Sequence, residues 1–386
     1  MAYLIILSMT TKDAVIIGGG IVGVSLLYYL ARNGMRNVLL IERNYLGSGA
    51  TGRCGGGVRQ QWSTEINIKL AMLGREIFAN LSDELGYDIE WHSGGYLIPV
   101  YTEEFAQQAR KNVELQRKLG LEVELLKPAE IKSIVPQFNP DGVILATYCP
   151  TDGHANPFKT VFAYAKAAQT LGTELWEYCE VQSINRKGTC YEISTPHDTV
   201  VTPILINAAG GWANVIAKMV GIELPTTPYR HEILVTEPVE HFFDPLIISF
   251  DGGYYFRQEH NGGIVGGMGN PDEPPGINHR SSLHFLIEFS HKLAKAMPIL
   301  KDVRIIRQWA GLYLMSPDSQ HIMGDMNGVD GYYQIVGFSG HGFMLGPISS
   351  KLLADYITDG KRNEFIDAFS YRRFEEGTIQ REVSVV

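Results

Sequence analysis

The chain of 386 residues carries a net charge of −9, and 45% of its residues are hydrophobic while 19% are charged. This composition excludes a disordered chain and gives no basic surface for nucleic acid. The length indicates two to three domains at about 150 residues each. The four cysteines form no Cys-x-x-Cys pair. We therefore expect no metal site, a reducing compartment and a cytoplasmic location.

The first residues contain an apolar run, Leu4–Leu7. This run is too short for a signal peptide or for a membrane helix, which needs about 20 apolar residues. No longer uncharged apolar stretch follows, so we expect no transmembrane segment. Residues before Met9 are expected to be a loose tail or to precede the true start.

The first predicted elements form a β-α-β unit. An apolar strand over 13–17 runs into Gly18-Gly19-Gly20-Ile21-Val22-Gly23, and a helical pattern continues to Gly34. A second buried strand over 37–41 then ends at Glu42. This spacing is typical of a Rossmann-like dinucleotide-binding domain.

Each glycine of this turn has its own physical reason. Gly18 permits the tight turn, Gly20 lets a pyrophosphate approach the backbone, and Gly23 lets helix and strand pack closely. The helix N-terminus, at Ile21 and Val22, offers amide groups to the phosphate. Glu42 is placed to accept hydrogen bonds from a ribose hydroxyl, and the alternative is a purely structural turn.

The glycine-dense stretch Ser48–Arg59 follows, with hydroxyl groups and two arginines. It could wrap a second phosphate and the edge of an isoalloxazine ring, which would favour FAD over NAD. The alternative interpretation is a flexible surface loop.

Further along the chain, apolar spacing of three or four residues predicts an amphipathic helix over 63–86, and Pro128 suits a helix first turn. Strand–glycine–helix units recur at 199–220 and at 332–360. The region 226–300 has β-type alternation and glycine pairs, which indicate an antiparallel sheet.

Three glycine-bearing strand ends far apart in sequence predict a discontinuous nucleotide-binding domain. We expect an FAD-binding domain over 10–90, 151–222 and 309–386, and a substrate-binding domain over 91–150 and 223–308.

Six motifs in order resemble those of the FAD-dependent amine and amino-acid oxidoreductases, the D-amino-acid oxidase superfamily. They are Gly18–Gly23, Glu42, Ser48–Arg59, Asn207–Ala213, Trp309–Gly311 with Ser316–Asp318, and Gly337–Gly342. Arg53-Cys54-Gly55, Arg59-Gln60-Gln61, Pro150–Gly153, Tyr229-x-His231 and Gly340–Met344 resemble most the β subunits of dye-linked L-proline dehydrogenases and heteromeric sarcosine oxidases.

The resemblance implies a fold that combines α/β and α+β features, namely a Rossmann-like FAD-binding domain and a substrate domain on a large mixed β-sheet. It also implies which residues bind FAD: Gly18, Gly20, Ile21, Val22, Gly23, Glu42, Arg43, Ser48, Thr51, Arg53, Cys54, Gly55, Val181, Ala208, Ala209, Gly210, Trp212, Gly311, Tyr313, Gly340, His341, Gly342, Phe343 and Met344. A helix that begins near Phe343 would direct its N-terminus at the flavin pyrimidine edge, where reduced flavin carries negative charge.

Some positions depart from relatives in this family. Gly311 stands where monomeric sarcosine oxidases carry a flavin-linking cysteine, so noncovalent FAD is expected. Val265 stands where they carry a lysine that aids oxygen reduction, which favours a dehydrogenase. Met344 replaces their carboxylate-binding lysine, and Tyr313 and Gly340 replace arginines of glycine-oxidase-like members.

The group that binds the substrate carboxylate therefore stays open among arginines, the residue type that grips carboxylates bidentately. The candidates are Arg59, then Arg257, then Arg230. Tyr255 is expected on the substrate side, and His231 could orient the amine. His341 lies inside the flavin motif. For each of these side chains the alternative is a structural role.

The resemblance implies oxidation of a Cα–N bond by hydride transfer to flavin N5, with L-proline as the first choice of substrate and sarcosine as the second. Electrons would pass to an acceptor other than oxygen, through an α subunit or a carrier protein, with FMN at a subunit interface as a further cofactor. Covalent FMN at His154 is disfavoured. The alternatives are an oxidase that releases H2O2, a noncatalytic flavin-holding electron-transfer subunit, and an NAD-dependent dehydrogenase.

Overall fold

The computed structural model describes residues 10–384. The loose tail predicted before Met9 lies outside these residues. The strands, in chain order, are β1 (Thr10–Thr11), β2 (Ala14–Ile17), β3 (Val38–Ile41), β4 (Gly57–Val58), β5 (Tyr96–Val100), β6 (Glu124–Leu126), β7 (Leu145–Cys149), β8 (Gly153–His154), β9 (Glu174–Trp176), β10 (Ser183–Lys187), β11 (Cys190–Ser194), β12 (Thr199–Thr202), β13 (Ile204–Asn207), β14 (Thr227–Thr236), β15 (Leu246–Ser249), β16 (Tyr254–Gln258), β17 (Ile264–Met268), β18 (Ile305–Met315), β19 (Ile322–Met326) and β20 (Val329–Val336). The α-helices are α1 (Ile21–Arg32), α2 (Glu65–Leu85), α3 (Glu103–Lys118), α4 (Pro128–Ile134), α5 (Pro157–Thr170), α6 (Ala213–Met219), α7 (Leu283–Ala296), α8 (Gly342–Asp359), α9 (Glu364–Ala368) and α10 (Arg372–Glu376).

A six-stranded sheet in the order β19-β20-β13-β2-β3-β9 forms the first layer. All its neighbouring pairs are parallel except β19 with β20. Strands β2, β13 and β20 are neighbours, so the three glycine turns that follow them meet at one edge of the sheet. Ligands of open α/β sheets bind at such a carboxyl edge.

Both faces of this sheet are covered. Apolar residues of α1, α2, α5 and α8 form one core with it. On the other face, α6 and a four-stranded sheet, β1-β12-β11-β10, form a second core. The predicted helix over 63–86 is α2, and it ends at Gly86, whose φ of +72° is the left-handed conformation that glycine favours at a helix end.

A mixed eight-stranded sheet, β18-β14-β17-β16-β15-β5-β7-β6, forms the second layer. Only β15 and β5 pair in parallel among these strands. Helices α4 and α7 pack against one face of this sheet. The large mixed sheet that the resemblance implied is therefore present, and the fold class predicted from the sequence is confirmed.

Two details differ from the sequence-based expectations. The region 226–300 is not all sheet, because its last part is helix α7, where Ser282 caps the N-terminus and Phe285, Phe289 and Leu293 supply a buried stripe. Strand β18 carries Trp309–Met315 in the eight-stranded sheet, although the sequence assigned these residues to the FAD-binding segments. The domain boundaries stay a prediction.

A pair of two-residue strands lies between the two layers. Strand β4, which follows the Ser48–Arg53 segment, pairs with β8. The face of the large sheet that α4 and α7 leave free turns towards the glycine turns. No helix between residues 10 and 384 is long and apolar enough to span a membrane.

Candidate active site

A cleft of about 350 Å³ lies along the carboxyl edge of the six-stranded sheet. Most of the residues predicted to bind FAD line it: Gly18, Gly20, Ile21, Val22, Glu42, Arg43, Ser48, Thr51, Arg53, Cys54, Val181, Ala208, Ala209, Gly210, Trp212, Tyr313, Gly340, Gly342 and Phe343. The cleft therefore joins six separate segments of the sequence into one site.

The turn after β2 lines the cleft, and its close backbone packing requires glycine. Gly18 has a φ of +116°, and an added Cβ would overlap the carbonyl oxygen of Ala208. Gly23 lies beneath the turn rather than in the cleft, since a Cβ there would overlap the carbonyl oxygen of Gly18. Helix α1 begins without a cap from its own N-cap residue, Gly20, and without an acidic residue in its first turn, so an anion can bind amides that Thr51 does not engage.

Glu42 is held in a fixed orientation at the end of β3. Its carboxylate accepts hydrogen bonds from the backbone N–H groups of Gly19, at 2.7 Å, and of Asn44, at 2.8 Å. A carboxylate has about four lone-pair sites, so it can still accept from a ribose hydroxyl. Beside it, the guanidinium of Arg43 lies 3.6 Å above the Trp212 ring.

The Ser48–Arg53 segment is part of the cleft wall and not a loose surface loop. The backbone N–H of Ile21 donates to the Thr51 hydroxyl at 3.1 Å. Arg53 donates to the carbonyl oxygens of Ser48 and Ala310, both at 3.1 Å. This segment therefore ties the α1 N-terminus to strand β18.

Helix α8 begins at Gly342, as the resemblance implied, and its first turn carries no acidic residue or side-chain cap. Just before it, Gly340 has a φ of +94°, and a Cβ there would overlap the Tyr313 ring. The Tyr313 ring therefore leaves space only for glycine at position 340. The backbone amides of this turn are available to a ligand in the cleft.

A second cavity of about 90 Å³ adjoins the cleft. The two share lining residues at Arg53, Cys54, Leu312, Tyr313 and Phe343, among others. Four residues predicted to bind FAD line this smaller cavity instead of the cleft: Gly55, Gly311, His341 and Met344. Arg59, His231 and Tyr255 line it as well. The smaller cavity is the candidate substrate site.

Arg59 is the buried cation of this cavity. It is 2% exposed, and its Nη atoms donate to the backbone carbonyl oxygens of Gln61 and, at 2.9 Å, of Ser384. Its guanidinium also lies 4.2 Å from the Trp62 ring centroid. Among residues 10–384 it forms no ion pair. Burial lowers the pKa of Arg59, and nearby groups including Glu382 and Asp152 raise it.

His231 lies in a stack of three rings. Its imidazole is parallel to the Tyr313 ring, with centroids 4.2 Å apart, and Tyr255 lies 5.6 Å away on the same stack. Burial lowers the pKa of His231 to about 4, so the ring is neutral at pH 7. Its Nε2 is buried and has no hydrogen-bond partner in the described part of the chain. Such an atom is available to a substrate amine.

His341 is buried at the α8 N-terminus, and its ring meets Trp62 edge to face with centroids 4.3 Å apart. Burial, followed by the charge of Arg59, lowers its pKa well below the usual value. It is therefore a neutral wall of the small cavity. Cys54 also stays a neutral thiol, because burial raises its pKa to about 11.

Two of the arginine candidates are engaged elsewhere. Arg257 donates to the carbonyl oxygen of Gly55 and, at 2.8 Å, to the carboxylate of Glu259. It is not among the residues that line either cavity. Arg230 lies outside the small cavity, where it forms a bidentate ion pair with Glu273, with N–O distances of 2.9 and 2.6 Å. The arginine in the small cavity is Arg59, and Arg53 lies at the boundary with the cleft.

Several residues that line the two cavities were not predicted from the sequence. Ser384, Phe250 and Tyr96 line the small cavity, and His279 lines the cleft. The C-terminal segment reaches the site because Glu382 is held by Ser63 and Thr64 at the start of α2. Contacts of this kind join residues more than 300 positions apart, so local pattern does not reveal them.

Comparison with known proteins agrees with this arrangement. The sequence profile of the FAD dependent oxidoreductase (DAO) family matches residues 13–356. The crystal structure of L-proline dehydrogenase from P. horikoshii superposes with a TM-score of 0.91 and 37% identity, and covers 97% of this chain and 100% of that one. The sarcosine oxidase subunit beta of Rhodobacter capsulatus is 26% identical over 95% of this chain and 89% of its own length.

Human dimethylglycine dehydrogenase is 30% identical over 90% of this chain. The match covers 43% of that protein, so this chain spans less than half the length of such relatives. Together with the glycine turn, the Glu42 carboxylate and the long cleft, these matches confirm the FAD dependence predicted from the sequence. The chain belongs to the DAO family of FAD-dependent oxidoreductases.

Proposed function

We propose that the protein oxidises the Cα–N bond of a secondary amino acid, with L-proline as the first choice of substrate and sarcosine as the second. The observation that carries this proposal is the small cavity that opens on the FAD cleft. It places Arg59, a buried cation with no ion pair among the described residues, together with His231, whose buried Nε2 has no partner there. The Arg59 guanidinium can bind a carboxylate, and the His231 Nε2 can bind an amine.

Arg59 is the proposed carboxylate-binding residue. A buried cation without a direct ion pair is costly, and a substrate carboxylate supplies that ion pair when it enters the cavity. The backbone carbonyls of Gln61 and Ser384 hold the guanidinium in place before substrate arrives. Because neither carbonyl carries a net charge, the positive charge stays available to the ligand.

His231 is the proposed amine-orienting residue. The neutral imidazole can accept a hydrogen bond from the amine N–H at Nε2, or hold its proton. Tyr313 and Tyr255 stack with the imidazole and limit its rotation. These aromatic walls also keep water away from the amine, so its protonation is set by the cavity rather than by bulk solvent.

FAD, when bound, supplies the two-electron acceptor for the oxidation. The cleft residues hold the cofactor, with Gly18 and the α1 N-terminus at the pyrophosphate and Glu42 at the ribose. The choice of a secondary amino acid is supported by the relatives named for proline and sarcosine, whereas dimethylglycine, named in another relative, is a tertiary amine. The identity of 37% to the L-proline dehydrogenase supports proline as the first choice.

The proposal includes an electron acceptor other than oxygen. Val265 stands where the resemblance puts an oxygen-activating lysine, and the described lining of the small cavity contains no lysine. The electrons would leave through an α subunit or a carrier protein, with FMN between the subunits. The similarity to a sarcosine oxidase subunit beta supports such a partner. A cytoplasmic location stays a prediction.

The test is anaerobic reduction of the purified yellow protein. L-proline, sarcosine, glycine and D-proline are added separately while the visible flavin band is recorded. We expect bleaching by L-proline, with slow recovery in air and fast recovery with an artificial dye. Fast recovery in air with stoichiometric peroxide would instead identify an oxidase, and a protein that no amine bleaches would indicate a flavin-holding subunit.

A further inference from the structure

His279 lies in the FAD cleft although it comes from the substrate side of the molecule. It belongs to the loop between β17 and α7, yet it lines the cleft together with residues of the glycine turns. Its ring packs on Trp212, with centroids 5.6 Å apart and planes 32° apart. The loop therefore crosses from the large sheet to the cofactor side.

One nitrogen of the His279 imidazole has no hydrogen-bond partner in the described part of the chain. Its Nε2 is buried and forms no hydrogen bond with any residue from 10 to 384. Buried side-chain nitrogens are almost always hydrogen-bonded, so an orphan nitrogen in a ligand cleft points to a ligand atom.

The charges around His279 identify the kind of ligand. The cationic groups that face it are Arg53, of the segment after β3, and Arg43, which lies above the Trp212 ring. Neither arginine forms an ion pair within the part of the chain that the structure describes. Three basic side chains thus meet in one part of the cleft, where an anion would be stabilised.

The loop is fixed on both sides of His279. The backbone N–H of Gly276 donates to the Pro228 carbonyl oxygen at 2.8 Å, and Arg230 donates to the carbonyl oxygen of Arg280 at 2.8 Å. Both anchors lie on β14 of the large sheet. The imidazole is therefore held over the cleft rather than carried on a free loop.

We infer that His279 binds the diphosphate of FAD, and that its loop closes the cofactor cleft from the substrate side. This inference rests on the cleft and on FAD dependence, not on which amine is oxidised. The loop would then couple cofactor retention to the large sheet, since the same strand β14 carries both loop anchors and His231.

The test measures FAD affinity directly. FAD is titrated into the deflavinated full chain, and the quenching of flavin fluorescence gives the dissociation constant for wild type, His279→Phe and His279→Gln. Phenylalanine keeps a ring against Trp212 but has no nitrogen, so we expect FAD to bind about 10- to 100-fold more weakly. Glutamine keeps a donor and should lose less. His284→Gln, on the exposed surface of α7, is the matched control and should bind like wild type.

The pH dependence is a second readout. Burial, followed by the charges of Arg53 and Arg43, lowers the pKa of His279 in the free protein. A bound diphosphate would raise it again, so wild type should bind FAD more tightly at pH 6 than at pH 8. His279→Gln should therefore show a smaller pH dependence.

Several outcomes would overturn the inference. If His279→Phe binds FAD as wild type does, the ring only packs on Trp212. If the Phe variant loses affinity but the ³¹P resonances of bound FAD are identical in wild type and His279→Gln at every pH, the contact is not to phosphate. Near-native thermal unfolding of each deflavinated variant separates a lost FAD contact from misfolding. Amine oxidation is not measured, so a wrong substrate assignment leaves this test unaffected.

Discussion

Replacing Arg59 by methionine removes the one buried cation of the small cavity while it keeps a side chain of similar length. The guanidinium offers the substrate carboxylate up to two charge-assisted hydrogen bonds, each worth about 1.5–3 kcal/mol. These contributions are not additive, so we expect a loss of about 3 kcal/mol, which is roughly 150-fold in kcat/KM for L-proline. Arg59→Lys should recover only part of this, because a lysine keeps the charge and loses the planar fork.

The assay compares L-proline with pyrrolidine, the same ring without a carboxylate. Dye reduction gives kcat/KM for both amines with wild type, Arg59→Met and Arg59→Lys. In wild type the carboxylate should favour proline strongly, and in the methionine variant most of that preference should vanish while the rate with pyrrolidine changes little. This comparison isolates the carboxylate contact from the reaction at the nitrogen.

Arg59 also binds the carbonyl oxygens of Gln61 and Ser384, so stability must be followed in parallel. Arg230→Met is the matched control, because it removes an equally long, ion-paired arginine that lies outside the small cavity. It should lower the unfolding temperature without changing the proline-to-pyrrolidine ratio, which is compared at equal FAD content because Arg230 also holds the His279 loop. If Arg59→Met lowers kcat/KM equally for both amines at unchanged FAD content, Arg59 does not bind the substrate carboxylate.

Three further predictions follow from the same geometry. His231→Phe keeps the aromatic stack and removes Nε2, so kcat/KM for L-proline should fall about 10- to 100-fold at an unchanged FAD content, and an unchanged rate would contradict the amine-orienting role. Gly18→Ala should yield a colourless protein, because its Cβ overlaps the Ala208 carbonyl oxygen, whereas Gly34→Ala, with a φ of +99° and no atom within 4 Å of its Cβ, should lose stability but stay yellow. The fully buried Asp152 has a pKa raised by burial from 3.8 to about 6, so the folded state holds a proton there that the unfolded state has released. Stability from this carboxyl should therefore fall as the pH rises from about 4 to 6, and urea unfolding of Asp152→Asn should lack that fall.

The sequence predicted the parts of the site that depend on local pattern. The turn Gly18–Gly23 and the helix start at Gly342 lie between a strand and a helix, and Glu42 lies at the end of strand β3, as the local pattern indicated. The parallel pairing of β2, β13 and β20 then brings these turns together without further information. Helix α7 was missed because glycine pairs and β-type alternation before it dominated the interpretation of 226–300.

The rest of the site depends on contacts between distant residues. Arg59, Arg257 and Arg230 could not be separated from the sequence, since all three lie near flavin or substrate motifs. The structure distinguishes them by their partners, as Arg257 pairs with Glu259 and Arg230 with Glu273. One partner of Arg59 is the backbone carbonyl oxygen of Ser384, 325 positions away. Such a contact has no local signature in the sequence.

The fit between Gly340 and Tyr313 has a consequence for how binding sites in this family can change. In glycine-oxidase-like relatives, arginines are expected at both of these positions. Here a side chain at Gly340 would meet the Tyr313 ring and a φ of +94°, so an arginine cannot enter at that position alone. Replacing Tyr313 first would break the stack on His231 before any new anchor exists. A side chain at position 340 therefore requires a smaller residue at position 313, so we expect these two positions to change together.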